Sequence, residues 1–267
     1  MPILTLPETD IAYEVRGTGA PVVLIPGFAS GAWSWQWQVE DLAKEFQVIT
    51  FDPRGVARSV LHGDAHVSIS KIANDTADLL RELRIAAAHI LGISFGGFVA
   101  QEFALRYPDR VGKLVLASTS FGGPNHVMPS MEVLASFSST DGLNDPDRIR
   151  KYLTTAFTSD FVRDNAAEIE RFCTLREQNP VPEEVYKQQL ASAIAFNTED
   201  RIGSIAAETL VLTGDSDTVV PAENSRNLAN AIPDATLGVI ADGGHMAFIE
   251  NAEEFNDFVI DFLNGSY

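Results

Sequence analysis

Ser94 stands in the stretch "HILGISFGGFVAQ" (residues 89–101), with glycines at 92, 96 and 97 around it. A serine hydroxyl is a weak nucleophile near neutral pH, and it attacks a carbonyl only with a general base in hydrogen-bond reach and a third group orienting that base. The chain offers five histidines. His89 falls inside the apolar run before Ser94, where a satisfied strand residue is expected, and His62, His66 and His126 fall in turn-rich polar stretches. His245 differs: "ADGGHMAF" sets it in a glycine-containing loop just past a strand-like run, which makes it the expected base. For the orienting group, "LTGDSDTVVP" offers Asp215 and Asp217, and either can hold an imidazole in its productive tautomer. Asp217 is favoured because it lies further out in the loop, whereas Asp215 is placed to bond its own loop. The backbone N–H of Phe95, at the start of a helical pattern, is a candidate donor to the oxyanion that attack by Ser94 would create.

These residues need a scaffold that brings distant loops to one edge. The runs "PVVLIPG" (21–27), "FQVITFD" (46–52), "AAHILGIS" (87–94), "VGKLVLAS" (111–118), "ETLVLTGD" (208–215) and "ATLGVIAD" (235–242) are short, apolar and rich in β-branched residues. Such runs predict strands buried on both faces of a mostly parallel sheet, preceded by an N-terminal strand pair. Helical patterns over 35–45, 70–83, 95–107, 222–231 and 252–263 alternate with them. The pattern predicts an α/β, doubly wound, mostly parallel eight-stranded sheet, with loops carrying ligands at the carboxyl ends of its strands. The alternation stops after Ser118 and resumes near Thr209, so a helical insertion is expected there, with core residues 1–120 and 204–267 and a cap over 121–203. Its phenylalanines (Phe137, Phe157, Phe161, Phe172 and Phe196) are expected to pack it against the sheet, with some lining a pocket beneath it.

The strand, G-x-S-x-G turn and helix around Ser94, followed in order by Asp217 and His245, resemble the α/β-hydrolase superfamily, in its serine-nucleophile branch with a helical cap. The resemblance covers nearly the whole chain. It implies Asp217 as the acid, through a G-x-x-D pattern at residues 214–217, and the backbone N–H of Phe28 as the second oxyanion donor. The loop bearing Phe28 reads Pro26-Gly27 where His-Gly is the commoner pair. "FDPRGVARS" (51–59) resembles the family's D-x-R-G-x-G-x-S loop, with Ala57 at the second glycine, and is expected to be a structural turn. The implied activity is hydrolysis of a small-to-medium carboxylic ester or lactone through an acyl-enzyme, as in enol-lactonases and carboxylesterases. Carbon–carbon bond hydrolases and cofactor-free perhydrolases of the same fold are the alternatives, as is a slow ligand-binding receptor. Carbon–carbon hydrolases usually carry asparagine before the nucleophile, where this chain has Ile93. A serine at the elbow argues against the dehalogenases and epoxide hydrolases, which use aspartate.

Composition narrows the partners. A formal charge of −18 over 267 residues repels phosphate backbones and anionic lipid, so neither nucleic acid nor a membrane is expected as a partner. No apolar stretch approaches the roughly 20 residues of a membrane helix. The single cysteine, Cys173, forms no intrachain disulfide and fits a reducing cytoplasm. The histidines lack ligand spacing, so no metal is expected, and no phosphate-binding or dinucleotide fingerprint implies a cofactor. The expected partner is a small ester or lactone. Were that substrate to carry a carboxylate, Arg148, Arg150, Arg163, Arg171 and Arg176 of the insertion are clamp candidates by composition alone.

Overall fold

The computed structural model describes residues 2–266, with backbone alone for residues 152 and 153. Among the described residues one sheet contains β1 (Ile3–Thr5), β2 (Thr9–Arg16), β3 (Ala20–Ile25), β4 (Phe46–Phe51), β5 (Val60–Leu61), β6 (Ala88–Ile93), β7 (Val111–Ala117), β8 (Thr209–Gly214) and β9 (Ala235–Ile240). Eight of them run in the order β1-β2-β4-β3-β6-β7-β8-β9. From β4 to β9 every pairing is parallel, while β2 is antiparallel to both β1 and β4. The ninth strand, β5, adds two residues against β2 and is too short to leave a periodic signal in sequence.

The order places the chemistry. After β3 the chain returns on one side as β4, and then crosses to the other side as β6. The loops leaving β3 and β6 therefore diverge and open a crevice at the carboxyl edge. Ser94 and Phe28 are in those two loops.

Alternation along the strands feeds two cores. Val23 and Ile25 of β3 face the helices Ile69–Glu82 and Phe95–Arg106, and Val22 and Leu24 face the helix Ala252–Asn264. The first of these helices starts where Ser68 accepts the Lys71 N–H, a side-chain cap for an otherwise orphaned donor. A single helix over 35–45 is not formed; the chain makes a 3-10 turn at Ala32–Trp35 and one α-turn at Val39–Leu42. Its tryptophans pin the segment to distant parts of the chain: Trp33 and Trp37 both pack on Phe172, and Trp35 packs on Phe248.

Between β7 and β8 lies the helical cap: Met131–Ser138, Pro146–Ala156, Ser159–Asp164, Ala166–Gln178 and Glu183–Ile194. Ser130, Asp145 and Thr158 cap three of its helices with their side-chain oxygens. The cap is not a separate globule. Phe157, Ile169 and Phe172 belong to the same core as Trp33 and β3, Val185 and Tyr186 join the opposite core, and Phe196 stacks on Phe98 at 4.4 Å.

Candidate active site

Ser94 occupies φ 53° and ψ −119°, a region that costs a non-glycine residue about 1–3 kcal/mol. Three hydrogen bonds hold it there. Its N–H donates to Ala117 O at 2.8 Å, and its carbonyl accepts from Gly97 N–H and Thr119 Oγ1, both at 2.8 Å. Glycines let the turn close: a Cβ on Gly92 would collide with the backbone of Gly96, and one on Gly96 with the carbonyls of Ile25 and Pro26. The hydroxyl is thereby raised above the end of β6.

His245 and Asp217 arrive from the loops after β9 and β8. His245 Nε2 is 3.1 Å from Ser94 Oγ, and Nδ1 is 2.8 Å from Asp217 Oδ2. Asp217 Oδ1 accepts the N–H groups of Val219 and Val220, each at 2.8 Å, which turns Oδ2 toward the ring. Asp215 stays out of this row; it is exposed and accepts from Ser216 Oγ at 3.1 Å. The remaining histidines are elsewhere. His89 Nδ1 accepts the Lys113 N–H at 3.0 Å, and His62 lies 3.3 Å from Asp10.

The loop after β3 passes beside Ser94, since a Cβ on Gly27 would lie 3.7 Å from Ser94 Cβ. The N–H groups of Phe28 and Phe95 have no acceptor among the described residues. Phe95 opens the helix Phe95–Arg106, where the helix dipole favours negative charge. The "FDPRGVARS" segment supports the far end of the Phe28 loop, because the fully buried Asp52 accepts Ala32 N–H at 2.8 Å and Arg58 Nε at 2.7 Å.

Sequence reasoning missed Glu250, five positions beyond His245. Its carboxylate accepts from Thr158 N–H at 3.2 Å and Thr158 Oγ1 at 2.7 Å, and Met246 N–H donates to Ala156 O at 3.2 Å. Burial pushes the Glu250 carboxyl up, against the hydrogen bonds from Thr158 and Gly244. These contacts join the His245 loop to the cap. Only a contact map carries that signal, since nothing local in "FIEN" announces it.

Ser94 and His245 border a cavity of about 100 Å³. Phe28, Trp33, Phe137, Phe172, Tyr186 and Phe248 give it an aromatic wall. Of the clamp candidates, Arg148 and Arg176 border it, with Arg148 donating to the carbonyls of Ser139 and Asp141 and Arg176 to Asn179 O at 2.9 Å. Arg150, Arg163 and Arg171 pair instead with acidic neighbours. Among the described residues no cluster of three or more His, Cys, Asp or Glu could hold a metal ion, and no helix is long and apolar enough to cross a membrane.

A family model described as alpha/beta hydrolase fold matches residues 20–252. The chain belongs to the α/β-hydrolase family. Relatives of this hydrolase differ in chemistry. It is 32% identical to a 2-hydroxy-6-oxononadienedioate/2-hydroxy-6-oxononatrienedioate hydrolase of Paraburkholderia xenovorans, over 96% of this chain and 91% of that one. It superposes on a thermophilic esterase of Thermogutta terrifontis with a TM-score of 0.83 and 28% identity, covering 97% and 94% of the two chains. Est816, an N-acyl homoserine lactone degrading enzyme, gives a TM-score of 0.80 and 29% identity over 98% and 100%. A hydrolase, an esterase and a lactone-degrading enzyme thus share the fold of this chain, a hydrolytic enzyme acting on a small organic substrate.

Proposed function

We propose that this α/β-hydrolase cleaves a small-to-medium carboxylic ester or lactone through an acyl-enzyme. The observation that carries the proposal is the hydrogen-bonded row Asp217–His245–Ser94 on the border of an aromatic cavity. Ser94 Oγ attacks the ester carbonyl while His245 Nε2 takes its proton, and Asp217 holds the Nδ1–H and stabilises the imidazolium. The backbone N–H groups of Phe28 and Phe95 receive the oxyanion. Collapse breaks the carbonyl–oxygen bond as His245 returns the proton to the leaving oxygen. Water, deprotonated by His245, then attacks the acyl group and frees the acid and Ser94. The aromatic wall suits an apolar acyl group. In this reading residues 1–120 and 204–267 form the catalytic core, 121–203 select the substrate, and the enzyme works in the cytoplasm.

A second reading rests on the Paraburkholderia relative. Its substrate is named with hydroxyl, ketone and carboxylate groups and no ester, so hydrolysis there must divide a carbon–carbon bond. The same residues can serve that reaction: addition at the ketone gives the same oxyanion, and the leaving carbon takes the proton. One assay separates the two. Wild type and Ser94→Ala are compared on p-nitrophenyl esters of graded length, an enol-lactone and a 2-hydroxy-6-oxodienoate. Multiple turnover on esters or the lactone, abolished in Ser94→Ala, supports the esterase reading; turnover of the dienoate alone replaces it with carbon–carbon cleavage. No turnover of any of them by folded wild type would sink both.

A further inference from the structure

We infer that Gln189, on the cap helix Glu183–Ile194, is a positioning residue for the oxyanion hole, acting through the backbone of Ala29 on the N–H of Phe28. The inference rests on the proposed role of that N–H. Gln189 is fully buried, and its Oε1 accepts the Ala29 N–H at 2.9 Å across 160 positions of sequence. Its Nε2 has no partner among the described residues. A buried amide with an idle donor is a stability loss that an apolar side chain would avoid, so its place in the fold is explained by what Oε1 does. The amide cannot be turned over without setting Nε2 against the Ala29 N–H, donor to donor.

What Oε1 holds is a strained turn. Ala29 has φ 53°, a left-handed conformation that alanine rarely adopts, and Ser30 N–H closes the turn on Gly27 O at 3.2 Å. The peptide plane between Phe28 and Ala29 is held at its N–H by Gln189 from the cap and at its carbonyl by Ser30 Oγ, 3.2 Å away. Were it free to rotate, the turn would relax and the Phe28 N–H would lose its aim beside Ser94. Tyr186, one helical turn before Gln189 and on the same face, packs its ring edge-on against Phe28 at 4.6 Å and donates its hydroxyl to Phe137 O at 2.9 Å. Gln188 Oε1 accepts Val67 N–H at 2.6 Å and ties this helix to the sheet domain. One helix face thus grips both the side chain of Phe28 and the backbone after it.

The test uses the full-length protein as Gln189→Met, which keeps the volume and removes the acceptor, and Gln189→Glu, which keeps an oxygen in place. Each is measured for kcat and KM on a p-nitrophenyl ester, for the rate of Ser94 labelling by an alkyl fluorophosphonate, and for Tm. Gln189→Met is expected to lower kcat and the labelling rate about 10- to 100-fold, less than the ~10²–10³-fold that follows outright removal of a donor. KM should stay within about twofold and Gln189→Glu within about threefold of wild-type kcat. Should Gln189→Met not fold, Gln189→Asn, one methylene too short to reach Ala29, is expected to show the same loss. Wild-type rates in Gln189→Met, or rates and Tm that fall together in the Met and Glu variants, overturn the inference. A wild type that turns over nothing yet is labelled at Ser94 refutes the esterase reading alone, and the ratio of labelling rates then decides the role of Gln189. A wild type that is not labelled at Ser94 refutes both.

Discussion

At Asp217 the two carboxylate oxygens have separate tasks. Oδ1 is occupied by two N–H groups of its own loop, so Oδ2 is the oxygen that meets His245. Asp217→Asn would keep an oxygen for Val219 and Val220 and set an NH₂ against Nδ1. The imidazole would then carry its proton on Nε2, facing Ser94, and could not accept one. The expected result is a fall in kcat of about 10⁴-fold, the size seen when a triad aspartate is replaced in this way, with an unchanged circular-dichroism melt. Retention of a tenth of wild-type kcat would remove the orienting role from Asp217. That Asp217 rather than Asp215 meets His245 agrees with how far each stands beyond its strand. That Asp217 also splits its oxygens between loop and ring was not legible in the sequence, because both bonds depend on the path of the turn.

Between elements, the loop after β4 is riveted to the helix Ile69–Glu82 by Arg54, whose Nε and Nη2 donate to Asp75 Oδ2 and Oδ1, both at 2.7 Å. Both side chains are buried, at 5% and 3% exposure. Asp75→Ala leaves the guanidinium buried without its fork partner, and urea denaturation should show a loss of about 3–5 kcal/mol. Glu8 touches the same guanidinium from the surface, where hydrogen bonds from Lys71 and Arg54 hold its carboxyl down at about 2. A depressed carboxyl stabilises the fold above its unfolded value near 4.5 and loses that contribution as pH falls toward about 2. Wild type should therefore exceed Glu8→Gln in urea midpoint at neutral pH and converge with it below about pH 2, the gap shrinking in high salt. A constant gap across that range would exclude Glu8 as its source. The strands and the helices around them were legible because hydrophobic period is local. The turns at 32–42 were not: the tryptophans there pack on Phe172 and Phe248, residues far along the chain, and local period carries no sign of such contacts.

At the scale of the whole molecule, the charge of −18 sets a field that repels anions over roughly a Debye length. For an ester carrying a distal carboxylate, kcat/KM should rise as salt is added from about 10 mM to 150 mM, while a neutral ester of equal length stays flat. A fall for the anionic ester would mean that Arg148 and Arg176, on the cavity border, outweigh the surface. The insertion was legible as a gap in strand–helix alternation; its attachments were not, because each joins residues tens of positions apart. Those attachments bear on how such an enzyme diversifies. Thr158 meets Glu250, Ala156 meets Met246, and Thr218 Oγ1 reaches Thr155 O at 3.4 Å, so one short cap segment is sewn to the loops of both Asp217 and His245. A cap swapped in from another lineage would import a new pocket and cut that seam in the same stroke. Inheritance of a foreign specificity here is expected to need residues 155–158 and Glu250 to travel together as one cassette.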